Sequence, residues 1–274
     1  MSVPAQERIL GTAAAENGNT LFWNHAKVWS ALRGNRSMAV CMTQVGRFTS
    51  AFFAGTPSPL GVTIGIVDAA THRALRSTNG HPCTPWFQLP RLPGTLLDAT
   101  WIEGRLRVLT REVFSGLVVS AVDTLGHLVG SFSVHVAREL STTLDWAYLA
   151  RVGNRIAVGS HRSPAWWIEF DSNGTERIQS SGVPRLALEG RGIPSNALDL
   201  FSSPVLRIGD LFAQTITELT SRRRFLAFFN SRGDFLRIAE REMGLALVAS
   251  LPGDSLVLGI DRSRQEIVIY ARTP

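Results

Sequence analysis

Arginine is the residue type with the most chemistry to offer in this chain, and it is unevenly placed. The short segments "REVFS" (111–115), "HRSP" (161–164), "TSRRR" (220–224) and "DRSR" (261–264), with "TPSPL" (56–60), hold 23 residues and seven arginines: Arg111, Arg162, Arg222, Arg223, Arg224, Arg262 and Arg264. Lys27 is the only lysine among 28 basic residues, which leaves 27 arginines in 274 positions, so 23 average residues would carry about two. A guanidinium offers a planar fork of donors suited to carboxylate or phosphate. His161 shares one of these segments and joins the ligand-binding candidates. A second pattern lies in "LLDATW", "TLDWAY" and "ALDLFS", which set Asp98, Asp145 and Asp199 in similar contexts. Carboxylates converging from three places would suit a hard cation such as Ca²⁺. The plainer role for such aspartates is to accept nearby backbone N–H groups as Asx-turns.

The elements that position these residues follow from a repeat. The segments "IGIVDAATHRAL" (64–75), "VSAVDTLGHLVG" (119–130), "IEFDSNGTERIQ" (168–179) and "LAFFNSRGDFLR" (226–237) each read as two apolar runs joined by a turn that starts at Asp or Asn. Ahead of these hairpins, and of the final run "EIVIYART", stand a further strand and a glycine: Gly46, Gly104, Gly153, Gly209 and Gly253. One more short strand precedes each glycine. Four antiparallel strands repeating at this period predict an all-β fold, a β-propeller. The blades fall at about 37–77, 95–135, 143–180, 197–240 and 245–273, within a single domain over 1–274. The fifth blade stops early. Residues 6–12, "QERILGT", match the outer strand "TERIQSS" (175–181) and are expected to supply the missing strand and close the ring. Residues 13–36 read as either a degenerate sixth blade or an excursion.

In such an architecture the first-strand starts and the second-to-third-strand turns share one face, which commonly carries the ligand site. The arginine segments fall there. The turns "DAAT", "DTLG", "DSNG" and "NSRG" fall on the opposite face and hold one arginine, Arg232. First strands line the central channel, which would bring Asp98, Asp145 and Asp199 toward the axis.

The pattern of "GNRIAVG…WWIEFDSNGTERI" and "GDSLVLGIDRSRQEIVIYA" resembles bacterial six-bladed β-propeller proteins related to NHL repeats, over residues 95–273. The resemblance implies a fold far more than an activity, because members of that group are mostly uncharacterised. They commonly carry a leader or lipoprotein signal.

Composition narrows the remaining classes. Hydrophobic residues at 45% and charged residues at 18% support a large core and argue against disorder. No apolar stretch reaches the ~18–20 residues of a membrane span. The first residues, "MSVPAQERILGTAAAEN", lack the basic and apolar regions of a secretory signal, so the expected location is cytoplasmic, or periplasmic or secreted if a signal lies upstream. Cys41, in "MAVCM", reads as a buried strand residue and Cys83, in "NGHPCTPW", as a loop residue. They form no metal or disulfide motif, and structural or incidental roles are expected. The net charge of +6 and pI near 10.5 fit an arginine-rich proteome and say little about nucleic acid. No nucleophile elbow, HExxH, phosphate loop or dinucleotide fingerprint is present.

Three functions remain, in order. The first is a non-catalytic propeller binding an anionic small molecule, peptide or protein through its arginine-bearing face, with no cofactor. The second is a metal-dependent hydrolase of the six-bladed lactonase type, using Asp98, Asp145 and Asp199. The third is an RNA-binding propeller, which ranks last because aromatics are scarce in the arginine turns and nucleic acid is a poor fit.

Overall fold

The computed structural model describes residues 11–14, 20–23, 26–31, 38–42, 48–54, 63–78, 81–113, 116–193, 200–218, 221, 223–241, 245–250, 256–261 and 266–271. The chain divides into two compact units, 1–135 and 136–274. Each contains three antiparallel sheets. The all-β, propeller-type fold of four-stranded blades expected from the sequence is the fold observed.

In the first unit, β1 (Gly11–Ala14), β2 (Thr20–Trp23), β3 (Lys27–Ala31) and β4 (Met38–Met42) form one meander. A second comprises β5 (Phe48–Phe53), β6 (Thr63–Asp68), β7 (Arg73–Thr78) and β8 (Thr84–Gln88). The third comprises β9 (Thr95–Ile102), β10 (Arg105–Glu112), β11 (Gly116–Val122) and β12 (Leu128–Val134). The first strands β1, β5 and β9 are neighbours, as the inner strands of successive blades must be.

Residues 13–36, which the sequence leaves as a degenerate sixth blade or an excursion, contain β2 and β3, and these form a four-stranded sheet with β1 and β4. The blade expected at 37–77 is out of phase, because β4 is the outer strand of the first sheet and β5, not β4, begins the second. The hairpin "IGIVDAATHRAL" is therefore the second-to-third-strand hairpin of its blade, one hairpin earlier than in the others. Of the expected closing segment, residues 6–10 lie outside the described residues, while Gly11 and Thr12 pair with Trp23 and Phe22 of β2. The segment "TPSPL" also lies outside them.

In the second unit a 3-10 helix over Arg138–Trp146 leads into β13 (Ala147–Val152), β14 (Arg155–Ser160), β15 (Trp167–Phe170) and β16 (Glu176–Ser180). The short α1 (Arg185–Glu189) follows. The next sheet is β17 (Leu200–Ser202), β18 (Leu206–Ile208), β19 (Leu211–Glu218), β20 (Arg224–Phe229) and β21 (Phe235–Arg241), with β17 and β18 both pairing with β19. The last sheet has three strands, β22 (Leu245–Ser250), β23 (Leu256–Asp261) and β24 (Glu266–Ala271).

The cores follow from blade geometry. Middle strands are covered on both faces, so β11 is buried over six consecutive residues, whereas the outer β12 is exposed along most of its length. Trp166, Trp167 and Phe170 pack inside the second unit, and Trp167 sits 4.7 Å from Phe212 and 5.8 Å from Phe229 by ring centroids.

The turns joining third to fourth strands are built alike. Asp123 Oδ1 accepts the N–H groups of Leu125 and His127, Asp171 Oδ1 those of Asn173 and Thr175, and Asn230 Oδ1 those of Arg232 and Asp234. Gly126, Gly174 and Gly233 take the positive φ that closes each turn.

Cys41 and Cys83 are joined as a disulfide, with Cα atoms 5.3 Å apart. The role is structural, as expected, although no sequence motif marks the pairing. The bond ties β4 to the segment just before β8, two outer strands that 42 residues of sequence separate.

Candidate functional site

The predicted ligand face is best defined in the second unit, where the β14–β15 turn meets the start of β13. His161 N–H donates to Trp146 O at 2.9 Å, and Ser202 N–H donates to His161 O at 2.8 Å. These bonds pin the turn between the 3-10 helix and β17. Within the turn, Ala165 N–H donates to Arg162 O and the Ser163–Pro164 peptide is cis.

Arg162 stands where the sequence places it, on this turn. Its guanidinium carbon lies 4.3 Å from the centroid of the Trp146 ring, a cation–π pair, and its N–H donates to Ser160 Oγ. Trp146 is 47% exposed, unusual for the largest apolar side chain. Asp145 beside it is exposed as well. A shallow cavity next to the turn is lined by Ser163, Pro164, Val183, Leu188 and Ser202.

His161, a ligand-binding candidate in the sequence, packs its ring among aromatic side chains. Its ring is stacked on Phe201 at 4.7 Å and leans on Tyr148 at 4.9 Å. Nδ1 lies 2.8 Å from Ser202 O. A carbonyl only accepts, so Nδ1 carries the proton and Nε2 the lone pair. Burial pushes the imidazole pKa down to about 4; the Ser202 bond opposes that and the Arg162 charge adds to it. The ring is neutral at pH 7. Tyr148 below it is fully buried, and its hydroxyl accepts from Val205 N–H at 3.1 Å and Gln214 Nε2 at 3.2 Å. Burial raises the phenol pKa and keeps it protonated.

The remaining arginines divide. Arg223 donates from Nη2 to Arg191 O at 3.3 Å and lies 5.0 Å over the Phe225 ring, so its side chain braces the β19–β20 turn. In the same turn Ser221 Oγ donates to Glu218 Oε2 at 2.5 Å, which puts a carboxylate among the arginines. Arg224 begins β20 with Nε and Nη1 buried. Arg111 lies on β10 in the first unit, paired with Leu117 and Thr95 and partly buried. Arg222, Arg262 and Arg264 lie outside the described residues. The structure thus brings His161 and Arg162 together with Trp146. Sequence reasoning missed Trp146, although its adjacency to Asp145 in "TLDWAY" marked the spot.

The aspartate set is placed only in part. Asp98 Oδ1 accepts from Ser50 Oγ at 2.5 Å and from Ala99 N–H at 2.8 Å, bridging the inner strands β5 and β9. That is the backbone-capping role of an Asx residue. Asp145 belongs to the other unit, and Asp199 lies outside the described residues. Among the described residues no group of three or more His, Cys, Asp or Glu side chains is placed to hold a metal ion. No helix among them is long and apolar enough to cross a membrane.

No known family model matches the chain, and no curated protein does. Solved structures do. A catalytically inactive variant of virginiamycin B lyase from Staphylococcus aureus, crystallised with quinupristin, aligns over 99% of this chain and 87% of its own, at 10% identity and TM-score 0.54. BBS1N in complex with ARL6DN aligns over 93% and 75%, at 10% identity and TM-score 0.51. A protein of unknown function from Bacteroides caccae aligns over 88% and 84%, at 11% identity and TM-score 0.51. At such identities the likeness is one of fold, and it is to β-propellers.

Proposed function

We propose that this chain is a non-catalytic binding propeller that recognises a carboxylate-bearing segment of a peptide or protein partner on the blade formed by β13–β16. The observation that carries this reading is the Arg162 guanidinium stacked on a half-exposed Trp146. Tryptophan and arginine dominate binding hot spots, and a stacked guanidinium is oriented before the partner arrives. A guanidinium's planar fork of donors suits a carboxylate held by paired hydrogen bonds. BBS1N, a propeller of similar fold, was crystallised with a protein partner, which makes a protein ligand a natural occupant. The NHL-type kinship read from the repeats belongs to the same proposal.

The Cys41–Cys83 disulfide supports an oxidising location for the protein, periplasmic or extracellular, over the cytoplasm.

Selection from a displayed random-peptide library tests the binding reading. Wild-type protein should enrich peptides rich in Asp and Glu, with capture weakened by added salt. Arg162→Ser and Trp146→Ala should each lose that capture while keeping the wild-type circular dichroism. Enriched peptides without acidic bias, or equal capture by Arg162→Ser, would sink the reading.

A further inference from the structure

The outer strands of the blades are sheet edges, and an edge presents unpaired backbone donors and acceptors. The described fourth strands other than β12, namely β4, β8, β16 and the last strand β21 of its sheet, carry devices that blunt them. Strand β8 contains Pro85, β16 opens with Glu176 and Arg177, and β21 carries Arg237, Glu240 and Arg241. Strand β4 is only five residues long and is tethered through Cys41. Strand β12, LVGSFSV, is different. It has seven residues, no charge and no proline. Leu128 and Val129 are 47% and 46% exposed, Gly130, Ser131 and Ser133 are exposed, and Leu125 in the preceding turn is 73% exposed. Its far edge has no strand neighbour among the described residues.

We infer that β12 is a self-association edge, along which a second copy of this chain adds its own β12 antiparallel, about a two-fold axis at Ser131. The strand is complementary to itself. With Ser131 at the centre, Phe132 of one copy faces Gly130 of the other, an aromatic covering a glycine that has no side chain to pack. Leu128 faces Val134. The charges agree with this arrangement. A chain of net charge +6 repels its own copies, and an edge without basic residues is where that repulsion is least. At the strand's start Asp123 sits 3.3 Å from His127, and antiparallel pairing brings His135 of the other copy to this carboxylate-bearing end. The contact is isologous and closes on itself, so it makes dimers rather than fibres. One seven-residue edge buries less than the ~800 Å² per partner of a standard interface, so the dimer is weak and concentration-dependent.

Sedimentation velocity over roughly a hundredfold range of concentration should show a monomer moving toward dimer, by mass action. Val129→Lys and Ser131→Lys should remain monomeric across that range. Leu186→Lys, an equal charge at an exposed site on α1, should associate as the wild type does. Cys41 and Cys83 are paired, so Ser131→Cys adds the only free thiol, and mild oxidation should link two chains through it. Wild type that stays monomeric at every concentration, association that survives both lysine variants, equal loss in Leu186→Lys, or no covalent dimer from Ser131→Cys would each overturn the inference.

Discussion

His161 gives the sharpest quantitative test of the site. The folded ring is held near a pKa of about 4 by burial, against 6.5 for a free imidazole. In the unfolded chain the ring is solvated and titrates near ~6.5. Between these two values the unfolded state binds the extra proton, so folding stability falls as the pH falls from 6.5 toward 4 and is insensitive to this group above about pH 7. At pH 5 the unfolded ring is ~1.5 units below its pKa while the folded ring is still mostly neutral. At about 1.4 kcal/mol per unit this single histidine removes on the order of 2 kcal/mol of stability between pH 7 and pH 5. Acidic residues also titrate at low pH, so the comparison needs a variant that keeps their background. Asparagine at position 161 can still donate to Ser202 O but cannot titrate. His161→Asn should therefore be less stable than wild type at pH 7, for want of ring stacking on Phe201 and Tyr148, and the gap should shrink by about 2 kcal/mol at pH 5. Urea unfolding followed by tryptophan fluorescence at several pH values reads this directly. Parallel stability curves for the two proteins would show that the ring is not held neutral and that the Tyr148–His161–Phe201 stack is misassigned.

The disulfide makes a second prediction. Closing a loop over 42 residues of separation is worth about 4 kcal/mol in chain entropy, so Cys41→Ala with Cys83→Ala, or reduction, should lower unfolding stability by up to that amount; an unchanged denaturation midpoint would mean that the pair does not form. Tyr148→Phe removes the acceptor of Val205 N–H and Gln214 Nε2 in a fully buried setting and should cost about 1–3 kcal/mol by urea unfolding, with little pH dependence between 5 and 8.

Most of the fold was legible because blades announce themselves through turns. Asp123, Asp171 and Asn230 each cap two backbone N–H groups, with a positive-φ glycine completing the turn, and that chemistry is written in the residue types. The same signature misled at Asp68. Its side chain caps Ala70 N–H in the same style, but between second and third strands, and local turn chemistry cannot say which hairpin of a blade it closes. The fourth strand of that blade, β8, was hidden because Pro85 suppresses the strand signal, while an edge position tolerates the missing donor. The disulfide was invisible because its partners meet only through the packing of two blades. At the site, arginine enrichment pointed to Arg162 and Arg223 alike but could not say that one lies over Trp146 and the other over Phe225. Side-chain packing in the folded chain decides that.

The central claim is that Arg162, braced on Trp146, holds a partner's carboxylate. Its most direct test is the affinity of the strongest selected acidic peptide for wild type and for Arg162→Ser, measured by fluorescence polarisation at low and at high salt. Wild-type binding at low salt should weaken at least about tenfold in Arg162→Ser, the ~1.4 kcal/mol or more expected of a charge-assisted pair, and most of the salt sensitivity should go with it. Equal affinity and equal salt dependence in the two proteins would contradict it.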